Sequence, residues 1–259
     1  MFSTLLLEYG AERATVTLNR PDKRNAITPA MIAELQTALD EIEKKKVRVV
    51  IVTGAGPAFC AGMDLDMLQA ISKQSPQENQ EDSKRMAKLF RRIWSFPRPL
   101  IAAVNGHALA GGCGIATLCD FTLAVPEACF GYTEVRIGFV PAIVSSFLIR
   151  QVGEKIARDL LLTGRLFDAE EAFRIGLVKE IVPADKLMTR THALASEVLE
   201  NSPASLRATK RLLTDSARSE LDSQIEAAVR DNAAIRETAD FREGVTSFLE
   251  KRKPKWSSQ

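Results

Sequence analysis

With 259 residues, 46% of them hydrophobic, the chain has enough apolar material for one large core, or a core with an appendage, and too much to remain disordered. Its 35 basic and 33 acidic residues leave a net charge of +2, too small to argue for nucleic acid, so affinity for an anion must come from local placement. The four cysteines (Cys60, Cys113, Cys119, Cys129) form no CxxC pair, and His107 and His192 have no partner at metal spacing. Zinc and thioredoxin-like readings are excluded, and reduced, mostly buried thiols are predicted.

The opening Met1 to Glu8 has no basic lead and too short an apolar run for a signal peptide. No later segment has transmembrane length, which makes the cytoplasm the expected address. Ala14 to Leu18 reads as extended. Thr28 then makes an N-cap with Pro29 at the first helical position, and Ile32, Leu35, Leu39 and Ile42 fall on one helical face before the basic run Lys44-Lys45-Lys46. Val47 to Thr53 reads as a strand, and Gly54-Ala55-Gly56-Pro57 with Phe59 to Leu65 carries it through a glycine loop into a helix-compatible segment. A polar stretch, Lys73 to Asp82, rich in Gln, Ser and Glu, predicts a mobile surface segment ahead of Met86, Leu89, Phe90 and Ile93.

The most informative stretch follows. Leu100 to Val104 predicts a strand, Asn105-Gly106-His107-Ala108-Leu109-Ala110-Gly111-Gly112-Cys113-Gly114 a glycine-rich turn, and Ile115 to Leu118 a helix. Farther on, Asp168 with Glu171 makes a capping box, Gly176 ends that helix, Leu177 to Val182 returns as a strand, and the pattern from Asp185 onward is almost wholly helical. Strands alternating with helices predict an α/β core.

Glycines at a strand-to-helix junction leave backbone N–H groups uncovered beside a helix N-terminus, where hydrogen bonds and the dipole both favour negative charge on a ligand oxygen. Two such junctions would aim two amides at one oxygen, the arrangement of an oxyanion hole. Phosphate fingerprints are absent: there is no GxxxxGK[ST], and Gly111-Gly112-Cys113-Gly114 lacks the GxGxxG order. From the residues alone, plain architecture is the favoured account of both loops.

Several motifs together carry a resemblance. Leu18-Asn19-Arg20-Pro21 with Asn25-Ala26-Ile27, Ala58 to Leu65, Ala103 to Cys113, Phe130-Gly131-Tyr132-Thr133-Glu134-Val135-Arg136-Ile137-Gly138, and Phe248-Leu249-Glu250-Lys251-Arg252-Lys253 resemble the crotonase (enoyl-CoA hydratase/isomerase) superfamily, in its order and over nearly the whole chain. The resemblance implies an α/β fold: a spiral ββα core over 1–195 holding a CoA-thioester site, and a helical C-terminal region over 196–259 that packs trimers, often paired into hexamers. It implies an acyl-CoA thioester as the partner, coenzyme A as part of the substrate rather than a cofactor, no metal, and enoyl-CoA chemistry of the kind used in fatty acid metabolism.

Site residues carry over by position. Glu134 falls where the family's hydratases and isomerases keep a catalytic glutamate, although its spacing to Arg136 alone suggests only a surface salt bridge. Beside an apolar acyl pocket its carboxylate should be partly desolvated, with a raised affinity for protons. The oxyanion amides fall on Met63 and Gly111. Ala61 and Leu65 match positions beside the CoA adenine and pantetheine, which core packing explains equally well without the family. Lys251 matches a lysine that meets CoA phosphate from a neighbouring subunit, and Arg24 is a weaker candidate in the N-terminal loop. Asp120 is read as a brace of the core, His107 as a structural loop residue, and Asp64 and Asp66 as outside candidates for a second acid.

Gly114 departs from the family, because two-glutamate hydratases carry their other glutamate there. A double-bond isomerase needs one carboxylate, and hydration can run on one if Glu134 orients the water and relays its proton. Glu134 to Ser145 looks most like hydratases of branched or methylglutaconyl-type enoyl-CoAs, which tips the expectation to a hydratase with isomerase as the alternative. The usual Pro-Gly-x-Gly-Gly is replaced by Pro141-Ala142-Ile143-Val144-Ser145, which implies a reshaped acyl pocket. A non-catalytic CoA-thioester or RNA-binding member is the remote alternative; Lys44-Lys45-Lys46 with Arg48 would touch phosphate there, although such runs usually face water.

Overall fold

The computed structural model describes residues 2–257, apart from the side chain of Leu65. Strands β1 (Leu5–Tyr9) and β2 (Arg13–Leu18) form an antiparallel pair. Helix α1 (Pro29–Glu43) starts as predicted: the Thr28 hydroxyl accepts from the Met31 N–H, Pro29 occupies the first turn, and Ile32, Leu35, Leu39 and Ile42 are buried. Strand β3 (Val49–Gly54) lies parallel between β2 and β5 (Leu100–Val104), and its run Val49 to Thr53 is buried throughout. A strand covered on both faces reads as a continuous apolar run, and this one does.

After β3 the chain turns out of that sheet into the short β4 (Ala58–Cys60), and α2 (Leu65–Ile71) and α3 (Pro76–Trp94) then bring it back to β5. The excursion repeats with β6 (His107–Leu109) and α4 (Gly111–Leu118), and again with β7 (Phe121–Ala124) and β8 (Cys129–Gly131). Each of these turns adds one parallel strand to each of two sheets, which β10 (Glu180–Ile181) then extends in parallel and β9 (Leu166–Asp168) antiparallel, giving β1-β2-β3-β5-β7-β10 and β4-β6-β8-β9. This is the spiral of ββα turns. The corner between β5 and β6 works only with glycine at 106, where a Cβ would lie 2.2 Å from the Pro57 carbonyl oxygen of the preceding turn.

The spiral continues through α5 (Ala142–Val152), α6 (Glu154–Thr163), β9 (Leu166–Asp168), α7 (Ala169–Arg174) and β10 (Glu180–Ile181). Helix α8 (Leu187–Leu199) packs on β3, β5 and β7; α9 (Pro203–Asp215) follows; α10 (Arg218–Ala234) lies against α3 and α5; α11 (Ala239–Leu249) returns to α2 and to the short 3-10 turn Glu134–Ile137. Asp120 braces the core: its Oδ2 accepts from the Leu100 N–H at 2.7 Å and from Lys210 Nζ of α9 at 2.6 Å.

Three expectations change. Residues 76–82 are not a mobile surface segment but the first turns of α3, started by a capping box between Ser75 and Glu78. Polar composition misled there because Asn79, Asp82 and Ser83 point inward and find polar partners on the later helices. The strand read over 177–182 shrinks to Glu180–Ile181, although Leu177 and Val178 are buried as an apolar run requires. Asp168 caps α7 by accepting from the Glu171 N–H at 2.8 Å, but the Glu171 carboxylate takes Arg165 instead of completing a box, and Gly176 (φ +83) turns the chain away beyond the helix.

Candidate active site

Two loops meet where the sequence placed them. Between β4 and α2, Gly62 adopts φ +90, its carbonyl accepts the Ile27 N–H at 2.7 Å, and the Asp64 N–H donates to the Ile27 carbonyl at 3.0 Å. Met63 is pinned between these two bonds, and its own N–H has no acceptor among the described residues. Asp64 caps α2 by accepting from the Asp66 N–H, and Arg20 lies 2.9 Å from its other oxygen.

In the second loop, Ala110 sits at φ 47, ψ −124, a backbone conformation costly for a residue with a Cβ, held by its N–H donating to the Gly131 carbonyl at 2.7 Å. That turn presents Gly111 as the first residue of α4, where a backbone N–H has no partner within the helix. A Cβ at Gly112 would come within 2.3 Å of the Cys60 carbonyl oxygen, so glycine at 112 lets the helix start press against the end of β4. Two unclaimed amides bordering one cavity are what a carbonyl oxygen gaining negative charge requires.

Glu134 opens the 3-10 turn after β8. The residue is half-buried, but its Oε2 is enclosed and has no hydrogen-bond partner among the described residues. Burial pushes its carboxyl up to about 7, against a smaller opposing effect of a hydrogen bond from its own amide. No ion pair joins Glu134 to Arg136 among the described residues, and Arg136 is exposed, so the surface salt bridge falls. Glu134, Ala61, Met63 and Gly111 share the wall of a cavity of about 500 Å³.

The wall around Gly114 explains its departure from the two-glutamate pattern. A Cβ there would lie 2.7 Å from Phe90 Cζ, 2.9 Å from its Cε2 and 3.4 Å from Val144 Cγ2. Phe90 comes from α3 and Val144 from α5, and both line the cavity. Apolar atoms therefore fill the place of a second acid, and the segment Pro141 to Ser145, where the glycine pattern was lost, runs into the start of α5 and supplies Val144.

The other candidates fall elsewhere. The Leu65 side chain lies outside the described residues. Arg24 adopts φ 48 with an exposed side chain, and its carbonyl accepts the Ala61 N–H at 3.0 Å; Lys251, at φ 55, is exposed beyond α11. Neither lines the cavity, whereas Arg252 and Pro254 do. Asp64 is occupied by Arg20, Asp66 is exposed 3.7 Å from Lys23, and neither reaches the cavity wall. His107 is exposed on β6. In the basic run, Lys45 sits over the Tyr9 ring and Arg48 binds Glu12 and the Leu199 carbonyl, which engages both cations within the fold. Sequence reasoning missed Asp82, Asn232 and Arg236, which line the same cavity. No local motif marks them, because the Asp82–Arg236 contact joins positions 154 residues apart.

Comparison with known proteins agrees with this geometry. The family model for enoyl-CoA hydratase/isomerase matches residues 9–259. A Thermus thermophilus protein provisionally named enoyl-CoA hydratase is 47% identical over 94% of this chain and 96% of its own. The crotonyl-CoA hydratase of Syntrophomonas wolfei is 33% identical over 100% of this chain and 99% of its own. Among solved structures, an enoyl-CoA hydratase/isomerase from Xanthobacter autotrophicus Py2 superposes with a TM-score of 0.89 at 31% identity, covering 97% of this chain and 98% of that one. Motifs, spiral fold and full-length matches converge, and the chain belongs to the enoyl-CoA hydratase/isomerase family, the crotonase superfamily.

Proposed function

We propose that the protein is an enoyl-CoA hydratase that adds water across the double bond of a 2-enoyl-CoA with Glu134 as its one acid/base. The thioester oxygen accepts from the amides of Met63 and Gly111. The Glu134 carboxylate takes a proton from a water as its oxygen bonds to C3, the C2–C3 π electrons shift toward the thioester, and the resulting enolate oxygen is held by the two amides. Glu134 then returns the proton to C2 on the same face, which restores the carboxylate and yields a 3-hydroxyacyl-CoA. Coenzyme A travels with the substrate, so the reaction needs no separate cofactor. The observation that carries the reading is the enclosed, unpartnered Glu134 Oε2, sharing a cavity with two unclaimed amides.

The acyl group is of the branched or methylglutaconyl type suggested by the motif after Glu134. Ala61 and Leu65 lie along the CoA moiety, and Lys251 of a neighbouring subunit, with Arg24 as a weaker contributor, meets its phosphates in a homotrimer or homohexamer working in the cytoplasm. The helical tail over 196–259 provides the contacts of that assembly.

Double-bond isomerisation is the second reading, favoured by Phe90 and Val144 where another carboxylate would stand. An isomerase needs Glu134 only to take a proton from one carbon and return it two atoms away. Assay of paired 2-enoyl- and 3-enoyl-CoAs decides: hydratase action converts the 2-enoyl substrates to 3-hydroxyacyl-CoAs, whereas interconversion of the pair without a hydroxylated product gives the isomerase.

A further inference from the structure

Arg236 is 3% exposed in the short turn between α10 and α11, yet it lines the cavity. Its Nη1 donates to Asp82 Oδ2 at 2.9 Å and its Nη2 to Asn232 Oδ1 at 2.9 Å, while its Nε is enclosed with no acceptor among the described residues. Asp82 is shared, because its Oδ1 also takes Arg85 Nη2 at 3.2 Å. Two guanidinium groups thus divide one carboxylate, and among the described residues neither has another acidic partner. Arg85 is half-exposed and lies off the cavity wall, so the cavity itself holds the Arg236–Asp82 pair beside Leu68, Met86 and Phe139. The Phe139 ring covers the guanidinium at 5.3 Å.

A network that only tied α3 to α10 would be expected to satisfy its donors, since a buried N–H without an acceptor opposes folding. An anionic ligand atom supplies what is missing. We propose that Arg236, steadied by Asp82 and Asn232, is the subsite for a carboxylate at the far end of the acyl chain, so that the preferred substrates are 2-enoyl-CoAs ending in a carboxyl group. Position agrees. The exposed lining residues Arg136, Phe248 and Arg252 mark the mouth of the cavity, whereas Arg236, Asp82 and Asn232 are all buried and mark its interior. A carboxylate there gains charge-assisted hydrogen bonds, and a methyl terminus leaves the Nε without a partner.

The proposal deepens the hydratase reading but is tested independently of turnover. Calorimetric titration of the full-length protein with adipyl-CoA and hexanoyl-CoA compares equal chains that differ only at the terminus, and neither has a double bond to hydrate. The carboxylated thioester is expected to bind about 10- to 100-fold more tightly, the worth of a charge-assisted hydrogen bond. Arg236→Met is expected to abolish that preference while holding hexanoyl-CoA affinity within about 3-fold. A wild-type preference under about 3-fold, or a variant that weakens both ligands alike, overturns the subsite. If Arg236→Met does not fold, the wild-type comparison decides alone. A carboxylate preference in binding, found with no hydration of either matching 2-enoyl-CoA, supports the subsite and refutes the hydratase reading.

Discussion

Replacing Glu134 by Gln removes one ionisable group from an enclosed position without changing its shape, and the structure fixes the expected effect on both activity and stability. Losing Glu134 as the acid/base is expected to cut turnover by about 10²- to 10⁴-fold, with CoA-thioester binding retained. For stability, the carboxyl rises from 4.5 to about 7 because burial penalises its charge. Between those values the folded chain holds a proton that the unfolded chain has released, so stability falls as pH climbs and levels off above about 7. At about 1.4 kcal/mol per tenfold change, the full penalty is on the order of 3 kcal/mol, which partial exposure reduces to about 1–2 kcal/mol. The Gln variant carries no such penalty. At pH 8.5 it is expected to melt a few degrees above the wild type, and at pH 4 the two should melt together. Wild-type kcat/KM should rise with pH through about 7, as the proton-accepting carboxylate forms, and then level off. Melting curves and initial rates on one 2-enoyl-CoA across this range provide the assay. Near-normal turnover in the variant, or an unchanged melting difference between pH 4 and pH 8.5, refutes the reasoning.

Gly111→Pro deletes one amide at a position where proline suits a helix start, and the nearest atom to the added carbon is the flexible Ile27 Cδ1 at 3.1 Å. Turnover is expected to fall about 10²- to 10³-fold with circular dichroism unchanged, and full activity in the folded variant removes Gly111 from the oxyanion site. Gly114→Glu must displace the Phe90 ring and crowd Val144. Stability is expected to drop by about 1–3 kcal/mol in urea titration, with bulky acyl substrates lost before short linear ones; unchanged stability and substrate range contradict the packing described for that wall.

The parts of the fold carried by period and punctuation were legible in the chain. Thr28-Pro29 and the four apolar positions of α1, the buried run of β3 and the glycine junctions before Met63 and Gly111 each state their structure locally. The β4 and β6 strands were hidden inside those junctions, because three residues pairing across successive turns of the spiral leave no pattern of their own. The start of α3 was misread because its buried face is polar, and burial of Asn79 and Ser83 depends on Asn232 and Arg236 far along the chain. The same distance hid the charged cluster in the cavity. Glu134 was nominated by motif, but its unpartnered oxygen and the ring that fills the Gly114 side follow from packing of α3 and α5, which no spacing encodes.

The central claim is that Glu134 and two backbone amides add water to a 2-enoyl-CoA without a second acid. Mass spectrometry of the product formed in ¹⁸O-labelled water tests it most directly. The account expects wild-type protein to place one labelled oxygen on the acyl chain of a 3-hydroxyacyl-CoA, and Glu134→Gln to lose that incorporation by about 10²- to 10⁴-fold. Migration of the double bond across the substrate panel with no label taken up would contradict it.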